Sequence, residues 1–181
     1  LLATLFVALP APAPLALGQL GEVELRIVGQ LGGAVSSVAL KAPYAYVGIG
    51  PRLAVLDVVT NRGNPVFRGQ SPWFSDLVYS VAVSSSSNHV FAAVGRAGLQ
   101  VIDVASPSTP VAVASLQWQG RAVAVASSGS AAFVVVQQGD LADTARLAVV
   151  NVADPRQPVE IGSFSPSPAT TLVDIDILGG Y

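Results

Sequence analysis

The 181-residue chain can fold as one domain with a substantial core, and 51% hydrophobic against 11% charged residues excludes both a disordered polymer and a solvated helical bundle. Nine Lys and Arg against eleven Asp and Glu give a formal net charge of −2, and the basic residues are scattered, so there is no electrostatic footprint for nucleic acid. The lack of cysteine excludes disulfides and thiolate chemistry.

Residues 1 to 17, LLATLFVALPAPAPLAL, are apolar and small, and Ala16-Leu17-Gly18 before Gln19 offers the small residues a signal peptidase needs. Residues 1–18 are expected to be a truncated signal peptide lacking its basic leader, and with no initial methionine the chain is expected to be a fragment, at least at its N-terminus. Pro10, Pro12 and Pro14 oppose the alternatives of a buried strand or a membrane anchor. The mature protein is therefore expected to be extracellular or at the cell surface, and not to span a membrane.

Residues 22 to 31, EVELRIVGQL, alternate polar and apolar side chains and predict a strand. Its end, Val28-Gly29-Gln30-Leu31, resembles the later pieces Val66 to Gly69, Val113 to Leu116 and Ile161 to Phe164. It reads as an orphan outer strand that precedes the first complete unit.

From there the chain repeats itself. Leu53-Ala54-Val55-Leu56-Asp57-Val58, Leu99-Gln100-Val101-Ile102-Asp103-Val104 and Leu147-Ala148-Val149-Val150-Asn151-Val152 are copies spaced by 46 and 48 residues, each followed by a proline at 65, 110 or 158. Each copy is the third of four strand-like runs separated by turn residues such as Lys41-Ala42-Pro43 and Ser84 to Asn88. No stretch shows a helical period with caps. Four short antiparallel strands in about 45 residues, with third strands apolar on both faces, predict blades of a β-propeller. The expected fold is all-β, with blades at about 36–70, 79–117 and 121–164 inside a domain of 19–181, and residues 172–181 supplying the first strand of a further blade in an incomplete ring.

The copies LAVLDVVTNRGNPVFRG (53 to 69), LQVIDVASPSTPVAVAS (99 to 115) and LAVVNVADPRQPVEIGS (147 to 163), with YAYVGIG (44 to 50), resemble the LVIVD repeat proteins. That resemblance implies secreted or cell-surface propellers of bacteria and archaea, with no shared enzymatic activity. Asn151 departs from the motif's aspartate, which speaks against a catalytic or metal role for that position.

Strand direction places the links between strands two and three on the same face as the links between blades. That face is expected to collect Arg52, Trp73, Phe74, Asp76, Arg96, Trp118, Gln119, Arg121, Asp140, Asp143 and Arg146. Trp73 and Trp118 each follow their repeat proline by eight residues, so blade packing competes with a ligand platform at both. The binding candidates are Trp73, Asp76, Trp118 and Arg121, for a protein or carbohydrate partner. Asp140 and Asp143 in the longer loop QQGDLADTAR are weak calcium candidates, and no metal or cofactor is expected.

Asp57, Asp103 and Asn151 are expected to accept backbone N–H bonds in turns. His89 is the single histidine, which leaves neither zinc nor a Ser-His-Asp triad a plausible site. The expected function is a binding scaffold rather than an enzyme. The alternative is a propeller-type enzyme, lactonase-like or a quinone-dependent dehydrogenase, with catalytic groups partly in missing blades and Asp174 and Asp176 lining the channel.

Overall fold

The computed structural model describes residues 34–61, 63–138, 144–166 and 172–177. The segments read as a signal peptide and an orphan strand, and the pair Asp140 and Asp143, lie outside these residues.

Among the described residues, strands form three four-stranded antiparallel sheets, each in sequence order. The first blade is β1 (Val35–Lys41), β2 (Tyr44–Ile49), β3 (Arg52–Asp57) and β4 (Val66–Gln70). The second is β5 (Ser80–Val83), β6 (His89–Ala93), β7 (Leu99–Asp103) and β8 (Val111–Leu116). The third is β9 (Arg121–Ser128), β10 (Ala131–Gln138), β11 (Thr144–Asn151) and β12 (Val159–Phe164). The inner strands β1, β5 and β9 lie side by side, so the blades stack face to face around one side of a channel in an open-ring β-propeller arrangement.

Period-two alternation on the third strands explains why they are apolar on both faces. Leu53 and Val55 of β3 join Val90, Ala92 and Ile102 in the core between the first and second blades. Leu99 and Val101 of β7 point the other way, into the core with Ala132, Val134, Ala148 and Val150 of the third blade. Leu53, Leu99 and Ile102 are fully buried, and each such side chain is worth about 2 kcal/mol of transfer free energy.

Each blade carries a register shift at the same place, where β3, β7 and β11 meet their outer strands. A bulge there adds a residue to the outer strand and sharpens its twist. In the first blade the residue at the shift is Arg68, whose Nη2 lies 2.6 Å from Asp57 Oδ2. The next outer-strand residue, Gly69, sits where a Cβ would collide with the Pro107–Ser108 backbone of the second blade. Its counterpart Gly162 meets nothing, because the third blade's outward side is uncovered among the described residues.

The turn reading of the motif's polar end is met at atomic detail. Asp57 Oδ1 accepts the amides of Val59 and Thr60, Asp103 Oδ1 accepts that of Ala105, and Asn151 Oδ1 accepts that of Ala153. Bonds from the Thr60 amide and hydroxyl, followed by the Arg68 guanidinium and the Val59 amide, hold the Asp57 carboxyl well below the usual range. His89 bonds through Nδ1 to Ser87 Oγ at 3.1 Å, within the turn that Lys41 Nζ caps through the Ser84 and Ser87 carbonyls at 2.9 and 2.8 Å.

Candidate functional site

The links from one blade to the next fold over the β2–β3 hairpin, since the Phe74 amide donates to Pro51 O at 2.8 Å and the Val78 amide to Gly50 O at 2.9 Å. Arg52, Trp73, Phe74 and Asp76 therefore share one end of the blades. The second blade's hairpin is tied to the third blade at the same end by Ala122 N donating to Gly95 O at 2.8 Å.

Asp76 is the anchor of this end. Its Oδ2 accepts the Arg96 amide at 2.8 Å and its Oδ1 the Leu77 amide at 2.7 Å. Burial pushes the carboxyl up, but these two amides with the Arg121 and Arg96 guanidiniums prevail and hold it below its ordinary value. Gly95, at φ 43°, leaves no room for a Cβ beside that carboxylate. Arg121 donates from Nη2 to the Tyr79 hydroxyl and lies 5.1 Å from the Tyr79 ring centre. Asp76 and Arg121 are thus brought together, and Tyr79, which the sequence does not single out, joins them.

The two tryptophans are not brought together. Trp118 packs on the core between the second and third blades, and its indole N–H donates to Glu160 Oε2 at 2.6 Å. Arg146 holds the same carboxylate with both Nη atoms, at 2.6 and 3.0 Å, and its guanidinium lies 5.9 Å from the Trp118 ring centre. The Arg146 bonds, against an opposing effect of burial and with help from Trp118, keep Glu160 below the usual glutamate range. The indole N–H, the Glu160 carboxylate and both Arg146 Nη atoms are thus tied to one another, with the Trp118 ring packed on the core of two blades.

Trp73 is 69% exposed. The Arg52 guanidinium carbon stands 3.9 Å from its ring centre, a close cation–π stack. The pair forms one wall of a recess of about 460 Å³ with Ile49, Ala54, Phe67 and Gln70. Ala54, Leu56, Ala45 and Val47 point to this side of the first blade, away from the second. Arg52 and Arg146 precede the repeat leucines Leu53 and Leu147 directly, and that shared position was the one sequence signal for their common role. Glu160 had no such signal.

A second recess of about 590 Å³ lies along the inner strands, lined by Ser37, Ser80, Ser127, Asp174 and Asp176. Residues 172–177, where the sequence places the first strand of a further blade, carry no ladder pairing among the described residues. Both aspartates reach this channel wall, and each accepts the amide of the residue that follows it, at 2.8 Å.

Three stacked four-stranded blades with a repeated bulge, hairpin and turn define a β-propeller repeat protein. The LVIVD repeat matches residues 32–71, 78–117 and 119–165, more than half of the chain, and the protein belongs to the LVIVD repeat family. No curated relative matches. Solved structures share the fold at low identity. The computationally designed Ika4 protein has a TM-score of 0.61 at 12% identity, over 86% of this chain and 89% of that one. Saccharomyces cerevisiae Sqt1 has 0.62 at 11%, over 76% and 36%, and Kuenenia stuttgartiensis hydrazine synthase 0.55 at 11%, over 73% and 37%. The match spans little more than a third of the length of the two natural proteins.

Proposed function

We propose that this LVIVD repeat protein is an exported interaction scaffold, which meets a protein or carbohydrate partner at the cell surface through the end of the blades that carries the hairpins and links. The observation that carries the reading is Trp73, a large aromatic side chain left 69% exposed yet stacked on Arg52. Exposing an indole while fixing its orientation removes most of the ordering cost that a contact residue pays on binding. Asp76 and Arg121 flank the same end as a polar, charged neighbourhood, which suits a recognition rim. Trp118 supports the surface by holding two blades together and is not itself a contact.

The test is binding of the intact chain to arrays of cell-surface glycans and peptides, compared with Trp73→Ala and Trp118→Ala. The reading expects Trp73→Ala to lose binding at an unchanged melting temperature. Binding that survives Trp73→Ala but disappears in Trp118→Ala together with the melting temperature would assign both effects to folding and overturn the platform.

A further inference from the structure

At the end of the blades opposite the hairpins and links, a recess of about 200 Å³ lies between the first and second blades, and Tyr46 reaches it from β2. Packing alone asks for no hydroxyl at this repeat position. Where the first blade sets Tyr46 opposite Val55, the second sets Phe91 opposite Val101 and the third Phe133 opposite Val149. Phe91 closes its blade boundary with a plain phenyl ring at 1% exposure. Tyr46 packs in the same way into the core between the first two blades and is 4% exposed, yet its hydroxyl has no hydrogen-bond partner in the protein. Burial, followed by Tyr44 beside it, pushes the phenol above its ordinary value, so it stays a neutral donor. A buried hydroxyl without an acceptor leaves its lost hydration uncompensated, and the recess is where an acceptor can reach it. Lys41 lines the same recess. Its ammonium donates to the Ser84 and Ser87 carbonyls at 2.9 and 2.8 Å and forms no ion pair among the described residues, and no acid stands in the recess wall.

From these observations we propose that the recess is a binding site for a small monocarboxylate with a compact apolar body. A carboxylate oxygen accepts from the Tyr46 hydroxyl, and the anion sits in the field of Lys41, whose charge is otherwise met by carbonyl dipoles. The Tyr44 hydroxyl, also without a partner in the protein, supplies a second donor in the same wall. Pro43, Val104 and Pro107 cover the apolar body. At ~30 Å³ per water the recess has the space of about six or seven waters, which is room for a short-chain acid and not for a length of peptide. The site lies at the opposite end from Trp73 and stands on different residues, so either reading can fail without the other.

The experiment titrates the intact chain with sodium propionate and, at matched ionic strength, with propionamide, and follows the ring resonances of Tyr44, Tyr46 and Tyr79. Tyr44→Phe and Tyr46→Phe assign the signals. The expected result is a saturable shift of Tyr44 and Tyr46 with propionate while Tyr79 stays in place. Propionamide is expected to bind about tenfold more weakly or worse, and Tyr46→Phe to lose a similar factor for propionate, as for one lost hydrogen bond to a charged group. Without propionate, Tyr46→Phe is expected to melt no lower than the wild type, because its hydroxyl leaves no partner behind. A lower melting temperature would show that the hydroxyl serves the fold and would overturn the site. Equal binding of propionate and propionamide would overturn the carboxylate assignment, and no saturable shift, or one shared by Tyr79, would overturn the site altogether.

Discussion

Trp73 and Trp118 stand at one repeat position and live in opposite surroundings. Trp118 lies half-buried on the core of two blades and is locked by Glu160 and Arg146; Trp73 lies on the outward side of the first blade, with one stacking partner and solvent. The difference comes from which arginine each indole meets. Trp118 meets the arginine of the blade that follows it, so the contact staples two blades, whereas Trp73 meets Arg52 of its own blade and staples nothing. Position in a repeat therefore sets where a side chain starts, and the neighbour across the blade boundary sets what it does.

The contrast breaks most visibly at Trp118. Trp118→Ala removes a large ring from the second blade boundary and leaves Glu160 with one partner fewer, and the cost is expected to be about 3 kcal/mol. Urea unfolding of the intact chain measures it as a drop in midpoint at an unchanged slope. A cost below about 1 kcal/mol would mean that the indole only decorates the interface.

Glu160→Gln is the next step down. The neutral amide keeps the shape and can still accept from Trp118, but it ends the charged two-point grip of Arg146, at a cost of about 1 kcal/mol for a partly exposed pair. The pH dependence has a defined sign. The folded carboxyl titrates below its unfolded value of ~4.3, so the unfolded chain binds more protons in that window, and the stabilisation is complete above it. As pH falls below ~4.3 the contribution is lost, and the wild type and Glu160→Gln should converge. A difference that stays constant from pH 7 to pH 3 would show that the charge contributes nothing. Asp57, also held low, adds acid sensitivity in the same direction to both proteins.

The blades were legible because their signal is local and repeated. Leu53, Leu99 and Leu147 hold one place in third strands that differ little, and an Asp or Asn at a fixed place before a turn can do one main thing, which Asp57, Asp103 and Asn151 all do. The hairpin and link end followed from strand direction alone, and Asp76 and Arg121 both lie there, around Gly95 and Tyr79. The division of labour between the tryptophans was not legible. It depends on Phe67 and Glu160 sharing a register beside a bulge, and on contacts 42 residues apart such as Trp118 with Glu160. Neither the bulge nor the pairing across the blade boundary leaves a pattern in one unit of sequence.

The smallest expected effect sharpens the comparison most. Trp73→Ala gives up an exposed cation–π contact worth about 0.5–1 kcal/mol, and part of that returns as the Arg52 guanidinium gains water. The net change in unfolding free energy is expected to stay under about 1 kcal/mol, well short of that for Trp118→Ala. Nothing in the core between the first and second blades depends on this ring, because Phe74 and not Trp73 packs against it. A loss as large as that of Trp118→Ala would show that Trp73 holds the fold. A small one leaves its exposure without a folding purpose, which is the condition the proposed partner contact requires.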